Sequence, residues 1–187
     1  MTLLQATLLW QVFDITDSTL SVALLGLAQF TPTLFMTLIA GAVADSFDRR
    51  KVVLCAQLGA FTFAGVLTLA SLSGDPRVGL IFAIALCIAT VMSFDFPARQ
   101  ALLPSLVRLE TFPQAITTAS TVQQLGFVSG PAVAGLLIAV EDAWLAYAAY
   151  LVLVAGSMIA LALLRPRAVE TARRAVTVAA IREGVGF

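Results

Sequence analysis

Five long apolar stretches constrain the fold of this chain more than any other feature of its sequence. They cover residues 20–44, 52–73, 78–94, 115–140 and 143–164. A helix of about 20 apolar residues crosses the hydrocarbon core of a bilayer, so each stretch predicts a transmembrane helix. A shorter apolar segment lies within residues 1–13, and its part from Leu3 to Phe13 covers only ~16 Å of a ~30 Å core. We interpret this segment as the end of a helix whose beginning is absent.

The composition excludes the main soluble classes of protein. Of the 187 residues, 60% are hydrophobic and 12% are charged, whereas a typical soluble domain is about 45–50% apolar and about 25% charged. Eleven basic residues balance eleven acidic ones, so no net field attracts a nucleic acid. The chain has no histidine, and Cys55 and Cys87 lie far apart inside apolar stretches, which is typical of core residues. We expect an integral membrane protein with no cofactor, no metal site and no enzymatic activity.

Basic residues are concentrated in alternate connections between the spans and predict the orientation of the chain. One set of connections carries Arg49, Arg50, Lys51, Arg99, Arg108, Arg165, Arg167, Arg173, Arg174 and Arg182. The opposite set carries only Arg77. Basic residues are enriched on the cytoplasmic side of membrane proteins, which places residues 45–51, 95–114 and 165–187 in the cytoplasm. The sequence therefore predicts a transmembrane bundle over residues 1–164 in the plasma or inner membrane, followed by a cytoplasmic tail.

The connection between the spans 20–44 and 52–73 joins an acid at a helix end to a basic cluster. From the residues alone, this loop could serve only to anchor the topology. Its spacing also resembles the G-x-x-x-D-R-x-G-R-R/K loop between helices 2 and 3 of the major facilitator superfamily. The matching residues are Gly41, Asp45, Arg49 and Arg50. Ser46 and Asp48 stand where arginine and glycine are usual, and an acid at the position of Asp48 is familiar in the branch that resembles enterobactin and macrolide exporters.

The span 115–140 carries a second motif of small residues around a proline. From the residues alone, it is a helix-packing face with a kink, because small residues let helices approach and proline removes a hydrogen bond. The order of residues resembles the G-x-x-x-G-P-x-x-G-G antiporter motif on helix 5 of exporters in the same superfamily. Gly126, Gly130, Pro131 and Gly135 match it, and Ala134 replaces the first closing glycine. This resemblance implies outward transport.

Two further segments complete an ordered set of resemblances over nearly the whole chain. Residues 96–107 contain P-A-R-Q-A-L-L-P, and residues 11–18 read Q-V-F-D-I-T-D-S; both are similar to segments of the enterobactin-exporter-like and macrolide-efflux-like branch. The resemblance implies an all-α, six-helix N-terminal half of a major-facilitator fold, built as 3+3 inverted repeats, with a truncated first helix. Residues 165–187 are similar to the linker toward a second half. A missing second half or a second copy is then the expected partner.

The resemblance also implies alternating access around a central cavity, with helices 1, 2, 4 and 5 near the cavity or the opposite half and helices 3 and 6 facing lipid more. Polar side chains within the spans are the candidates for contact with a small-molecule substrate. We select Gln29, Gln123 and Gln124, together with Thr31 and Thr33. A polar group in hydrocarbon needs a partner or a wet cavity. The alternative for each residue is a hydrogen bond between helices.

Charged residues near the basic loop are expected to control the cytoplasmic side. Asp95 is expected at the cytoplasmic end of helix 4, where we predict that it pairs with Arg49 or Arg50, and Asp45 is expected to contact the second half. No acid lies near the centre of a full span, although a proton-driven carrier needs an ionisable group in the membrane. Proton coupling therefore follows only from the resemblance, with its carboxylate expected outside these residues.

The function expected from the ordered motifs is secondary export of drug-like, macrolide or siderophore molecules, by a chain that is half the usual length. The alternative is a non-transporting membrane scaffold that binds partner helices through its small-residue faces, or a degraded remnant of a transporter. A membrane-embedded enzyme is disfavoured because the sequence has no histidine and no paired acids at depth. The sequence does not identify the substrate.

Overall fold

The computed structural model describes residues 1–74 and 76–164, without the side chains of residues 37–39, 41–46 and 109. The described residues form six α-helices in succession. They are α1 (Thr2–Thr16), α2 (Thr19–Ser46), α3 (Arg49–Leu72), α4 (Val78–Leu106), α5 (Phe112–Val140) and α6 (Ala143–Leu163). Helices α2 to α6 are each long and apolar enough to cross a membrane. The predicted all-α membrane fold is confirmed.

Helix α4 is longer than the apolar stretch that predicts it. The stretch ends at residue 94, and residues 95–114 were expected to form a connection, yet the helix continues through Pro97 and Pro104 to Leu106. Each proline lacks a backbone N–H and costs the helix one hydrogen bond. Ala98 and Leu102, which lie between them, are buried against α3 and α6. This packing keeps the segment helical despite the two prolines.

The six helices pack in a pattern that repeats after three. Helix α2 packs mainly on α4, α5 packs mainly on α1, and α3 packs on both α4 and α6. If α1, α2 and α3 are exchanged with α4, α5 and α6 in that order, the contact between α2 and α4 becomes the contact between α5 and α1. The contact between α3 and α6 is unchanged by this exchange. This is the arrangement of two three-helix repeats, as in half of a major-facilitator fold.

A buried polar triad joins three helices at the end of the bundle where α3 ends and α6 begins. The Gln11 amide nitrogen donates to Ser71 Oγ at 2.7 Å, and the Tyr147 hydroxyl donates to Gln11 Oε1 at 2.8 Å. Tyr147 has no exposed surface. Because an amide in apolar surroundings is costly without partners, these bonds fix α1, α3 and α6 to one another. The opposite end, where α3 begins and α6 ends, carries Arg49 and Arg50 and is called the basic end below.

Helices α2 and α5 are the least covered by the rest of the bundle. Only 6% of the candidate span of each is buried, compared with 39% of that of α3. The exposed apolar residues of α5 are Ile116, Val122, Leu125, Phe127, Val128, Val133, Leu136 and Val140. Those of α2 include Leu20, Leu24, Leu27, Phe30, Leu34 and Phe35. Large apolar surfaces on these two helices are therefore open to lipid or to another protein; they are called the uncovered faces.

Candidate functional site

A cavity of about 650 Å³ lies between α1, α2 and α4. It is called the first cavity. Its walls are mainly apolar, and its polar groups are few. The polar lining residues are Gln5, Gln29, Thr33, Ser93 and Gln100. Apolar walls with a few polar groups are typical of sites that bind small molecules.

Gln29 is the most informative polar residue of the first cavity. Its amide nitrogen is buried and makes no hydrogen bond to any residue that the structure describes. A buried donor without an acceptor costs free energy, so this atom is suited to an acceptor oxygen on a ligand. The predicted role of Gln29 in a cavity is thus consistent with its position. Thr31, by contrast, donates to Leu27 O of its own helix at 2.9 Å and is exposed.

A second cavity, of about 480 Å³, lies between α1, α3, α4, α5 and α6. Gln123 lines this second cavity, whereas Gln29 lines the first. Gln124 is exposed on α5 and belongs to the lining of neither. The three glutamines selected from the sequence therefore do not converge within this bundle. The second cavity is the more polar in character, since Asp95 and Arg99 of α4 also line it.

The glycine motif of α5 positions α1. The Thr2 hydroxyl donates to Gly126 O at 2.7 Å. A Cβ atom built on Gly130 would lie 2.9 Å from the backbone nitrogen of Leu3 and would also meet the Thr2 side chain. The absence of a side chain at Gly130 therefore allows α1 to touch the backbone of α5, whereas a Cβ atom built on Gly126 would meet no described residue within 4 Å. No described residue lies within 4 Å of a Cβ atom built on Gly135. Pro131 lies inside α5, directly after the close contact at Gly130.

The basic loop ties the start of α3 to two neighbouring helices. Arg49 Nη1 donates to Ala101 O of α4, and Arg50 Nη2 donates to Ala162 O of α6, each at 2.7 Å. Ala162 lies in the last turn of α6, where carbonyl groups lack partners within the helix and the helix dipole attracts cations. Asp48 caps α3, because its Oδ1 accepts the backbone N–H of Arg50 at 3.1 Å. The surroundings of Gly41 and the side chain of Asp45 lie outside the described residues.

Asp95 does not pair with the arginines of this loop, so that part of the prediction is wrong. Asp95 Oδ2 instead lies 2.6 Å from Arg99 Nε, one turn further along the same helix. The reason is the length of α4, which continues past Asp95 to Leu106. Arg49 reaches α4 only at Ala101, six residues or ~9 Å from Asp95. Arg99 is the nearer cation, at the spacing that favours ion pairs within a helix.

Comparison with known proteins assigns the chain to a family of transporters. The sequence model of the family described as transmembrane secretion effector matches residues 2–187. The chain belongs to this family, a branch of the major facilitator superfamily. Because the match covers almost the whole chain, the resemblance first suggested by the two glycine-containing motifs is confirmed. Members of this family and the relatives named below are transporters and not enzymes.

Three curated relatives are each similar to the chain over less than half of their own length. It is 29% identical to the multidrug efflux pump Tap of Mycolicibacterium fortuitum, over 94% of this chain and 44% of that protein. It is 25% identical to the staphyloferrin A transporter of Staphylococcus aureus, over 74% of this chain and 35% of the relative. It is 25% identical to macrolide efflux protein A of Streptococcus pyogenes, over 75% of this chain and 35% of the relative. The chain thus spans less than half of these relatives. No solved structure gives a significant match.

Several polar residues that line the two cavities were not selected from the sequence as candidate site residues. Gln57 and Tyr150 line the second cavity, and Gln5 and Gln100 line the first. Gln57, like Gln29, is an amide inside an apolar stretch, so the same sequence criterion could have selected it. Arg99 was not selected because Pro97 led us to predict a loop at this point, whereas Arg99 lies on α4.

Proposed function

We propose that the chain forms one half of an exporter that moves drug-like, macrolide or siderophore molecules out of the cell by alternating access. The observation that carries this proposal is the first cavity, where Gln29 presents a buried amide nitrogen without a partner among the described residues. Apolar walls remove an amphipathic molecule from water, and the amide selects an acceptor oxygen on it. The relatives named as multidrug, macrolide and siderophore transporters support this class of substrate.

The uncovered faces support a partner for the bundle. Two six-helix halves that rock against each other around a central site are the working unit of this superfamily. We propose that a second six-helix half, or a second copy of this chain, covers the uncovered faces of α2 and α5. The excess of basic residues at the basic end supports a cytoplasmic location for that end and for the tail, in the plasma or inner membrane.

The residues of the two motifs have separate parts in this mechanism. Arg49 and Arg50 hold the ends of α4 and α6 to the start of α3, so these helices move as one body. Gly126 and Gly130 hold α1 against α5. Asp45 contacts the second half on the cytoplasmic side, and its replacement by alanine is expected to cripple transport without preventing insertion. Coupling to protons supplies the driving force.

Efflux assays on a transporter that contains this half test the substrate site. Gln29→Leu keeps a similar volume but removes the buried donor, and we expect at least a tenfold loss of export, about 1.4 kcal/mol or more in substrate binding. Thr31→Val is the matched control, because the Thr31 hydroxyl already bonds its own helix. Equal export by Gln29→Leu and Thr31→Val would contradict the proposed site. No export by the unaltered protein above an empty vector would favour the alternative, a non-transporting scaffold.

Spin labels can test which faces the second half covers. Val128 of α5 and Val152 of α6 are 75% and 72% exposed in this bundle. Each is replaced by cysteine in a background where Cys55 and Cys87 are alanine, and collision of the label with oxygen dissolved in lipid is measured. In the chain alone, both labels should be equally accessible. In the assembled transporter, the label at position 128 should become protected, and equal accessibility there would refute α5 as part of the interface.

A further inference from the structure

Helix α4 presents different polar side chains to the two cavities. Ser93, Phe96 and Gln100 line the first cavity, and their spacing of three and then four residues places them on one face of the helix. Asp95 and Arg99 line the second cavity, where they form an ion pair. The helix therefore turns uncharged polar groups toward the first cavity and its charged pair toward the second.

Three helices each contribute one glutamine to the first cavity. They are Gln5 of α1, Gln29 of α2 and Gln100 of α4. A glutamine amide offers two N–H donors and one oxygen acceptor and carries no charge. The amide nitrogen of Gln29 is buried without a partner among the described residues, and a buried donor in this state costs free energy until an acceptor binds it. Gln5 and Gln100 are exposed, so their amides can rotate to meet the same ligand.

These groups suit an uncharged ligand better than an ion. The side chains described around the first cavity are apolar groups, amides and hydroxyls, which offer hydrogen bonds but no opposite charge. An ion that enters apolar surroundings loses its hydration, and only a counter-ion or several hydrogen bonds can restore that free energy. The amino group at Met1 interacts electrostatically with Asp95 and Arg99, the charged pair of the second cavity. A neutral ligand with acceptor oxygens loses less hydration and satisfies the donor of Gln29.

We propose that the first cavity binds uncharged ligands rich in acceptor oxygens, such as carbonyl, ether or phosphoryl oxygens, and that Gln5, Gln29 and Gln100 set this preference. The inference rests on the proposed function, because it names the class of substrate for the same cavity. Gln29 binds one oxygen through its buried amide nitrogen, and the amides of Gln5 and Gln100 bind further oxygens from α1 and α4. Cations of the same shape bind more weakly, because they bring no acceptor and lose their hydration.

Three small probes of one shape separate charge from hydrogen bonding. Triphenylphosphine oxide is neutral and has one strong acceptor oxygen, methyltriphenylphosphonium has a methyl group and a positive charge, and methyltriphenylsilane has a methyl group with neither charge nor acceptor. Binding of each probe to the chain in phosphatidylcholine nanodiscs is measured by equilibrium dialysis, and partition into empty nanodiscs is subtracted. We expect the oxide to bind more tightly than either other probe by about a factor of ten or more. A phosphonium affinity equal to that of the oxide would overturn the proposal, as would equal affinities of the oxide and the silane.

Two pairs of variants locate this binding in the first cavity. Gln29→Leu should lower the affinity for the oxide to that for the silane, whereas the control Thr31→Val should not, because the Thr31 hydroxyl already bonds its own helix. Gly26 lines the first cavity, and no described residue lies within 4 Å of a Cβ atom built on it. Gly26→Leu therefore has room to occupy the cavity and should weaken binding of all three probes. The control is Gly156→Leu, at an exposed and equally open position that lines neither cavity. An oxide affinity unchanged by both Gln29→Leu and Gly26→Leu would overturn the assignment to this cavity.

Phosphorus NMR of the oxide tests the proposal on the unaltered chain, in case Gln29→Leu fails to fold. The phosphorus resonance of a phosphine oxide moves downfield when its oxygen accepts a hydrogen bond, so we expect a downfield shift on binding, relative to the oxide in empty nanodiscs. The absence of any shift would overturn the proposal. None of these readouts needs export, so a failure to export would count against the proposed function alone. Export by the assembled transporter, together with equal binding of the oxide and the phosphonium, would count against the class of ligand alone.

Discussion

The contact between α1 and Gly130 gives a sharp prediction about stability. In Gly130→Ala, the new Cβ atom would lie 2.9 Å from Leu3 N, whereas ordinary contacts begin at 3.4 Å. The obstacle is backbone, so α1 has to move as a whole. Overpacking of this kind costs about 1–3 kcal/mol, and the movement breaks the Thr2–Gly126 hydrogen bond, worth about 0.5–1.5 kcal/mol. The helix propensity of alanine returns about 1 kcal/mol, so the net loss is about 0.5–3.5 kcal/mol.

Gly135→Ala is the matched control for this prediction. It lies on the same helix, and no described residue would lie within 4 Å of the new Cβ atom, so only the gain in helix propensity of about 1 kcal/mol applies. The two variants should therefore differ by about 1.5–4.5 kcal/mol in free energy of unfolding. The assay is circular dichroism of the purified chain during a titration from mild detergent into sodium dodecyl sulfate. Equal transitions for the two variants would refute the close approach of α1 to Gly130.

Three further predictions concern caps and buried hydrogen bonds. In the same titration, Asp48→Ala should lower the free energy of unfolding by about 1 kcal/mol, because the cap of α3 is lost. Asp48→Asn should keep most of the stability that the cap provides, because asparagine also caps helices. Tyr147→Phe leaves Gln11 Oε1 buried without its donor and should cost about 1 kcal/mol, since such bonds in membrane proteins average ~0.6 and reach ~1.7 kcal/mol. Tyr150→Phe should cost less, because the hydroxyl of Tyr150 donates only to a sulfur at 3.5 Å. Arg50→Ala should speed hydrogen exchange over the last turn of α6 and not over α5, as measured by mass spectrometry; unchanged exchange in α6 would contradict its bond to that helix end.

The helices could be predicted from the sequence wherever hydrophobic length and end signals agree. The stretch 52–73 corresponds to α3 over Arg49–Leu72, and the start of this helix is set by Asp48, whose side chain caps it. The stretch 78–94 ends twelve residues before its helix, α4, does, and the reason is physical. Pro97 weakens a helix locally, but Ala98 and Leu102 after it are buried against α3 and α6, and this burial depends on residues far away in the sequence.

The candidate site could be predicted only in part, because polarity within a span does not say which helix face meets which neighbour. Gln29 and Gln123 look alike in the sequence, yet they line different cavities. Asp95 and Arg49 look like partners in a basic loop, yet the extra turns of α4 carry Asp95 into the bundle. Gly130 and Gly135 belong to one motif, but a neighbour touches only the first of them. Each of these differences arises from tertiary packing.

The three-helix repeat explains why the uncovered faces fall on α2 and α5. In each repeat, the second helix packs mainly on the first helix of the other repeat, while the third helices pack on each other. The third helices therefore lie inside the contact that joins the repeats, which agrees with the larger buried share of α3. The second helices each use one face for the other repeat and leave the other face open. Hydropathy alone cannot separate such a face from one that meets lipid, because apolar side chains suit both. The equivalence of α2 and α5 in the repeat supports the proposal that one partner covers both.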